Sequence, residues 1–191
     1  MLMIKKLIVP LSIIAIGAAV LYGYTHTGGY LTYSSKAIDP TVEFQYPKAW
    51  KVESTRGKIE NYAQVKVSGP RNAEDTYHPT LVVRETPVGG RFQNAQEMLE
   101  FQMAHPFPNT KVLGTSELTL DAASGKRVSL TYTLPPMGVR GRKPLPVDVK
   151  MTSVIVQKGD KIYELVFSSE QSLAGGYEKH FERLLKSFRF N

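Results

Sequence analysis

Four histidines, His26, His78, His105 and His180, are the residues on which metal or proton-transfer chemistry would have to be built, because the chain contains no cysteine. Their spacing does not supply it. A zinc site wants paired ligands at short helical intervals or an H-E-x-x-H run, and none of the four has such a neighbour. Each reads as an ordinary surface or helix-end residue. The nucleophile motifs are equally silent, with no G-x-S-x-G elbow, S-x-x-K pair, phosphate loop or dinucleotide glycine pattern in the chain. Adjacent carboxylates Glu74 and Asp75 fall in a polar stretch where solvated charge explains them. The residue types therefore imply no enzyme, no metal and no cofactor, and direct attention to binding.

Two loops stand above that background. Pro135 to Pro146 joins two strongly alternating runs with more residues than a hairpin needs, and Arg140, Arg142 and Lys143 give it three positive charges and no negative one. Long loops in compact domains carry function or stay disordered. Four prolines lower the entropy cost of ordering this one on a partner. Met137, Arg140, Arg142 and Lys143 are thus candidate partner-binding residues, with idle disorder the competing reading. Gly69 to Pro79 mixes Arg71, Glu74, Asp75, Tyr77 and His78 and reads as a solvated turn. Trp50, the only tryptophan, follows Tyr46-Pro47 and reads as a core filler at the start of a strand rather than a stacking platform.

The elements that must position these residues show in the periodicity. Val128, Leu130, Tyr132 and Leu134 alternate with Arg127, Ser129, Thr131 and Thr133, the pattern of a half-buried antiparallel strand. Similar runs at 42–46, 50–54, 63–68, 81–86, 112–120, 149–157 and 162–168 predict a sheet of about seven or eight strands. Turns at Lys158-Gly159-Asp160 and at Asp121 to Gly125 make the carboxy-terminal half a meander, with glycine supplying the positive φ of the reversal. Two helices interrupt the strands. The first opens at Asn94 with Glu97 at capping-box spacing, runs over 96–105 and stops at Pro106. The second, over 173–186, carries Tyr177, Phe181, Leu184, Leu185 and Phe188 on one stripe and Glu178, Lys179, Glu182, Arg183 and Lys186 on its wet side. Helices laid against an antiparallel sheet make an α+β domain.

Ahead of this domain, Lys5 and Lys6 precede an uncharged apolar run from Leu7 to Tyr24. As a helix it measures roughly 27 Å, close to the thickness of a hydrocarbon core. Leu7, Ile8, Val9, Ile13, Ile14, Ile16, Val20 and Leu21 would form the anchor, and Gly17, Ala18 and Ala19 a small-residue patch permitting close helix contact in lipid. The lysines keep the amino end in the cytoplasm and export the rest, across the inner membrane to the periplasm or an equivalent lumen. Cleavage as a signal peptide competes with retention, but the bulky residues of Ala18-Ala19-Val20-Leu21-Tyr22 make a poor site. A lipoprotein would need a cysteine. Residues 25–40, rich in Gly, Thr, Ser and Tyr without period, read as a tether, with one folded domain over 41–191. The net charge of +7 loses two with Lys5 and Lys6. An exported, mildly basic domain without stacking aromatics beside its cations excludes nucleic acid and suits anionic lipid or an acidic protein.

Tyr46-Pro47-Lys48-Ala49-Trp50 after a strand resembles the Y-P-x-x-W opening of PsbP-like domains, and the 163–169 strand, the amphipathic helix and Ser187-Phe188-Arg189-Phe190 resemble their carboxy-terminal end. The resemblance implies an α-β-α sandwich over 38–191 and, in the best-known members, an extrinsic subunit on the lumenal side of photosystem II. It carries no metal site here, since no matching His and Asp cluster occurs. The expected function is a membrane-anchored, non-catalytic accessory or assembly subunit. It would bind a larger membrane protein complex, photosynthetic or respiratory first, through the anchor and the basic loop. The alternative is a small-molecule or lipid-binding module in which sheet and first helix enclose an apolar pocket.

Overall fold

The computed structural model describes residues 29–35, 38, 41–56, 63–72, 76–104, 107–136 and 145–191. Among the described residues the chain forms ten strands: β1 (Tyr30–Ser35), β2 (Val42–Pro47), β3 (Lys51–Arg56), β4 (Ala63–Ser68), β5 (Thr80–Pro87), β6 (Lys111–Leu120), β7 (Ala123–Leu134), β8 (Val147–Lys158), β9 (Lys161–Glu170) and β10 (Arg189–Phe190). Seven of them form one sheet in the order β3-β4-β5-β9-β8-β7-β6, antiparallel throughout. The other three form a small sheet, β1-β2-β10. Helix α1 (Ala95–Ala104) lies on one face of the large sheet, and α2 (Ala174–Ser187), entered through a 3₁₀ turn at Gln171–Leu173, lies on the other. The architecture is α+β, a large antiparallel sheet flanked by helices.

The α2 face holds the main core. Val65, Val67, Leu81, Val83, Val154, Val156, Tyr163, Leu165 and Phe167 point to it from the central strands, and Phe181, Leu184 and Phe188 come down from the stripe along α2. Burying each such side chain contributes about 1.5–3 kcal/mol. Phe44 stacks on Phe188 at 6.4 Å, which joins the small sheet to the same core. Trp50 fills the corner beside Tyr177 and His180, buried as expected of it.

Three expectations need correction. The 25–40 stretch is not all tether, because Tyr30–Ser35 pairs with β2 and Ile38 is buried. The run lacks a hydrophobic period because Tyr33, against Phe44 and Tyr46, is its main inward contact. The 42–47 strand belongs to the small sheet and not to the large one. The turn before β7 is made by Asp121 and Ala122, both at positive φ, and Gly125 lies within the strand. Gly159 does take positive φ in the β8–β9 turn, as the hairpin reading requires. The apolar run and its residues 7–24, with Gly17, Ala18 and Ala19, lie outside the described residues. Among the described residues no helix is long and apolar enough to cross a membrane.

Gly125 is there for clearance. A β-carbon on it would meet Val156 Cγ2 at 2.5 Å and the Ile155 carbonyl oxygen at 2.8 Å, at the first pair of the β7–β8 ladder. Gly125→Ala is expected to lower stability by about 1–3 kcal/mol through overpacking. A shifted urea midpoint at constant slope would show it, and an unchanged midpoint would mean that the strands part at no cost.

Candidate functional site

Helix α1 starts where its sequence says, with Asn94 Oδ1 accepting the Glu97 amide at 2.8 Å. Glu97 returns to the Gln93 amide, one residue earlier than a strict capping box. Phe92, Met98 and Leu99 bury against Val128, Ile155 and Ile162 of the sheet. That seating covers only part of the face. A helix about 10 Å across shields roughly two strands at 4.8 Å spacing, whereas seven strands extend about 29 Å.

A cleft of about 520 Å³ remains between α1 and the uncovered floor. Val82, Val166, Leu130 and Met151 supply apolar floor, while Met98, Phe101 and Phe107 contribute ring and thioether surface. Phe107 stacks on Tyr132 at 4.4 Å and is half exposed.

Polar groups converge at the centre of that floor. Arg84 of β5 stands directly opposite Glu164 of β9, and Arg84 Nη1 donates to Glu164 Oε2 at 2.7 Å. The same guanidinium donates to Gln64 Oε1 through Nη2 at 3.2 Å, and Gln102 of α1 donates to the second Glu164 oxygen. Burial pushes the Glu164 carboxyl above the ordinary carboxylate range, against the Arg84 guanidinium and the Gln102 amide, which favour the charged form. Further along, Thr80 and Ser168 hydroxyls lie 2.7 Å apart, and Tyr77 donates to Ser168 at 2.9 Å. Burial raises the Tyr77 and Tyr132 phenols, keeping both as neutral hydrogen-bonding groups. Arg91 lies over the Phe92 and Phe101 rings at 5.4 and 4.7 Å, adding a cation to the lining whose charge no carboxylate of the cleft matches.

The loop expected to be a solvated turn is instead built into this end of the sheet. Asn72 Oδ1 accepts the Thr76 and Tyr77 amides and its Nδ2 donates to Glu170 Oε2 at 2.9 Å, which presents Tyr77 to Ser168. Glu74 and Asp75 lie outside the described residues. His180 is no simple surface residue either: its Nδ1 sits 2.7 Å from the Tyr30 hydroxyl, and burial lowers its pKa to about 4. Met137, Arg140, Arg142 and Lys143 also lie outside the described residues. The strands leading into their loop do not, and Leu134 pairs with Val147 so that the loop leaves and re-enters at one point of the sheet end. Among the described residues no three His, Asp or Glu side chains come together as a metal site.

The chain is similar in fold to solved proteins of low sequence identity, three of which follow. Cyanobacterial PsbP (CyanoP) from Synechocystis sp. PCC 6803 aligns with a TM-score of 0.51 at 13% identity, over 86% of this chain and 94% of that one. LpqN of Mycobacterium tuberculosis, described as involved in cell envelope biogenesis, aligns at 0.50 with 14% identity, covering 86% and 93%. The Ran-binding protein Mog1p of Saccharomyces cerevisiae aligns at 0.52 with 9% identity, covering 85% and 96%. No family model matches the chain, and no curated protein does. The PsbP-like resemblance therefore holds at the level of the fold.

The sequence reading passed over Arg84 and Glu164, though a signal existed. Each adjoins a run of consecutive apolar residues, Leu81-Val82-Val83 before Arg84 and Leu165-Val166-Phe167 after Glu164. A charge at such a place needs a partner across the sheet. Arg84→Met should destabilise the protein by about 2 kcal/mol at neutral pH, the cost of a broken buried pair discounted for the exposure of the arginine. Without the guanidinium the Glu164 pKa rises further above its unfolded value of 4.5, so the proton is held more tightly in the folded state. That contribution is present at low pH and lost as pH rises in both proteins alike up to the raised folded pKa of wild-type Glu164, so the gap should be smallest at acid pH and widen only as pH climbs from that value toward the variant's still higher one. Unfolding free energies at pH 4 and 7 check this, and a gap independent of pH would refute it.

Proposed function

We propose that this chain is a binding module, not a catalyst, and that its cleft between α1 and the open sheet face takes a small amphiphile bearing one negative charge. The observation that carries this reading is the cleft, whose size falls within the range of ligand pockets and whose apolar walls surround a few convergent polar groups. Arg84 is matched by Glu164, which leaves the Arg91 cation to receive an anionic head while Val82, Val166, Phe101 and Phe107 take an alkyl or aromatic body. Thr80, Ser168 and Gln102 offer hydroxyl and amide groups for orientation. Val166→Trp fills the floor without touching the ion pair. Solvent extracts of the full chain, purified from its own membrane, should contain an anionic amphiphile that is depleted about tenfold in that variant. Identical extracts from two equally stable proteins would remove the reading.

A second reading, an accessory or assembly subunit of a membrane complex, draws support from the fold. CyanoP is a cyanobacterial PsbP, and Mog1p is a Ran-binding protein. The apolar run at 7–24 would anchor the chain, hold the domain on the exported side and raise its effective concentration at membrane partners. The Arg140, Arg142 and Lys143 loop, flanked by exposed Pro135, Pro136 and Leu145, would make the contact. Replacing those three cations with serine should abolish recovery of a co-purifying complex in mild detergent. Unchanged recovery would reduce the loop to a connection.

A further inference from the structure

Helix α2 shows solvent an excess of positive charge. Its carboxylates are partly exposed but matched, Glu178 with Lys150 and Glu182 with Arg127 at 2.6 Å. The residues left facing out are Lys179, Arg183, Lys186 and, just past the helix end, Arg189. Neither arginine loses its charge to a partner there, since Arg183 Nε donates to the neutral Gln45 side chain at 2.6 Å and Arg189 to the Lys186 and Phe188 carbonyls. Half-buried Glu43, across from Arg189 in the small sheet, borders the stripe with an opposing charge but leaves the cations in excess.

The first described strand comes to this same helix. The Tyr30 hydroxyl meets His180 Nδ1 at 2.7 Å, and the Arg183 guanidinium lies over the Tyr30 ring at 5.0 Å. Six residues carry the chain from Tyr24, the end of the apolar run, to Tyr30, and even fully extended they reach only about 20 Å. A chain anchored by that run would hold the stripe beside the bilayer.

We propose that the face of α2 formed by Lys179, Arg183, Lys186 and Arg189 docks on the anionic lipid headgroups of the membrane holding the amino-terminal run. The proposal rests on the anchor reading and adds an orientation to it. Each cation brought to an anionic surface is worth roughly a fivefold gain in local occupancy, decaying within a Debye length of about 8 Å. Docking is therefore decided by the last few ångströms, which the short reach from Tyr24 supplies without a tight site. It also sets the ligand cleft, on the opposite face of the large sheet, away from the bilayer and open.

The test uses the full chain. It has no cysteine, so Gly175→Cys, at an exposed position whose β-carbon meets nothing within 4 Å, takes a single donor dye on the first turn of α2. The labelled protein is reconstituted in vesicles of phosphatidylcholine alone or with phosphatidylglycerol, each containing a headgroup-labelled acceptor lipid. Energy transfer should be at least about twofold higher with phosphatidylglycerol and fall with added salt. It should drop to the phosphatidylcholine level when Lys179, Arg183, Lys186 and Arg189 are changed to Gln. Lys179→Gln with Lys186→Gln, which touches neither arginine contact, should give part of that drop in a protein of unchanged melting temperature. Release of the chain by alkaline carbonate would overturn the anchor and the docking with it. Retention with transfer indifferent to lipid charge would overturn the docking alone and leave the stripe to an acidic protein.

Discussion

Alternation along β9 sends Tyr163, Leu165 and Phe167 to one side of the large sheet and Glu164, Val166 and Ser168 to the other. Everything else in the molecule follows from how differently those two sides are covered. The first side meets a long amphipathic helix and a second small sheet, and it closes into an apolar core in which aromatic rings from β2, α2 and β9 stack. The other side meets one ten-residue helix. A sheet of this width cannot be covered by so short an element, so the face is dry under α1 and open beyond it.

The open part is chemically mixed for the same reason. Apolar side chains that no element covers stay partly exposed, and charges that sit under the helix edge must be matched. The Arg84 and Glu164 pair satisfies that need across two central strands, with Gln64 and Gln102 completing its hydrogen bonds. Buried polar groups of this kind add little net stability but fix a single arrangement. Here Gln102 ties α1 to Glu164 of β9 beside the cleft.

Strand positions were legible because a two-residue repeat survives in 63–68 and 128–134 whatever the partners. The second helix was legible because its stripe is continuous from Tyr177 to Phe188. The first helix announced itself by its cap at Asn94 and Glu97. What escaped was set by contacts distant in sequence. Tyr30 to Ser35 has no period of its own and becomes a strand only against β2. Tyr77 looked like part of a polar loop until Asn72 reached Glu170, nearly a hundred residues away. His180 looked exposed on a helix until Trp50 and Tyr30 closed over it.

Local order thus came from the chain itself: side-chain period, caps and turn residues act within a few positions and need no partner to be read. That a large antiparallel sheet would carry helices was also determined there, since an apolar face must be buried. Which face would be left open was not. It depends on the length of α1 relative to the sheet, on the strand order that puts β5 beside β9, and on the register that sets Arg84 across from Glu164. Those are properties of non-local pairing, and only the folded molecule decides them.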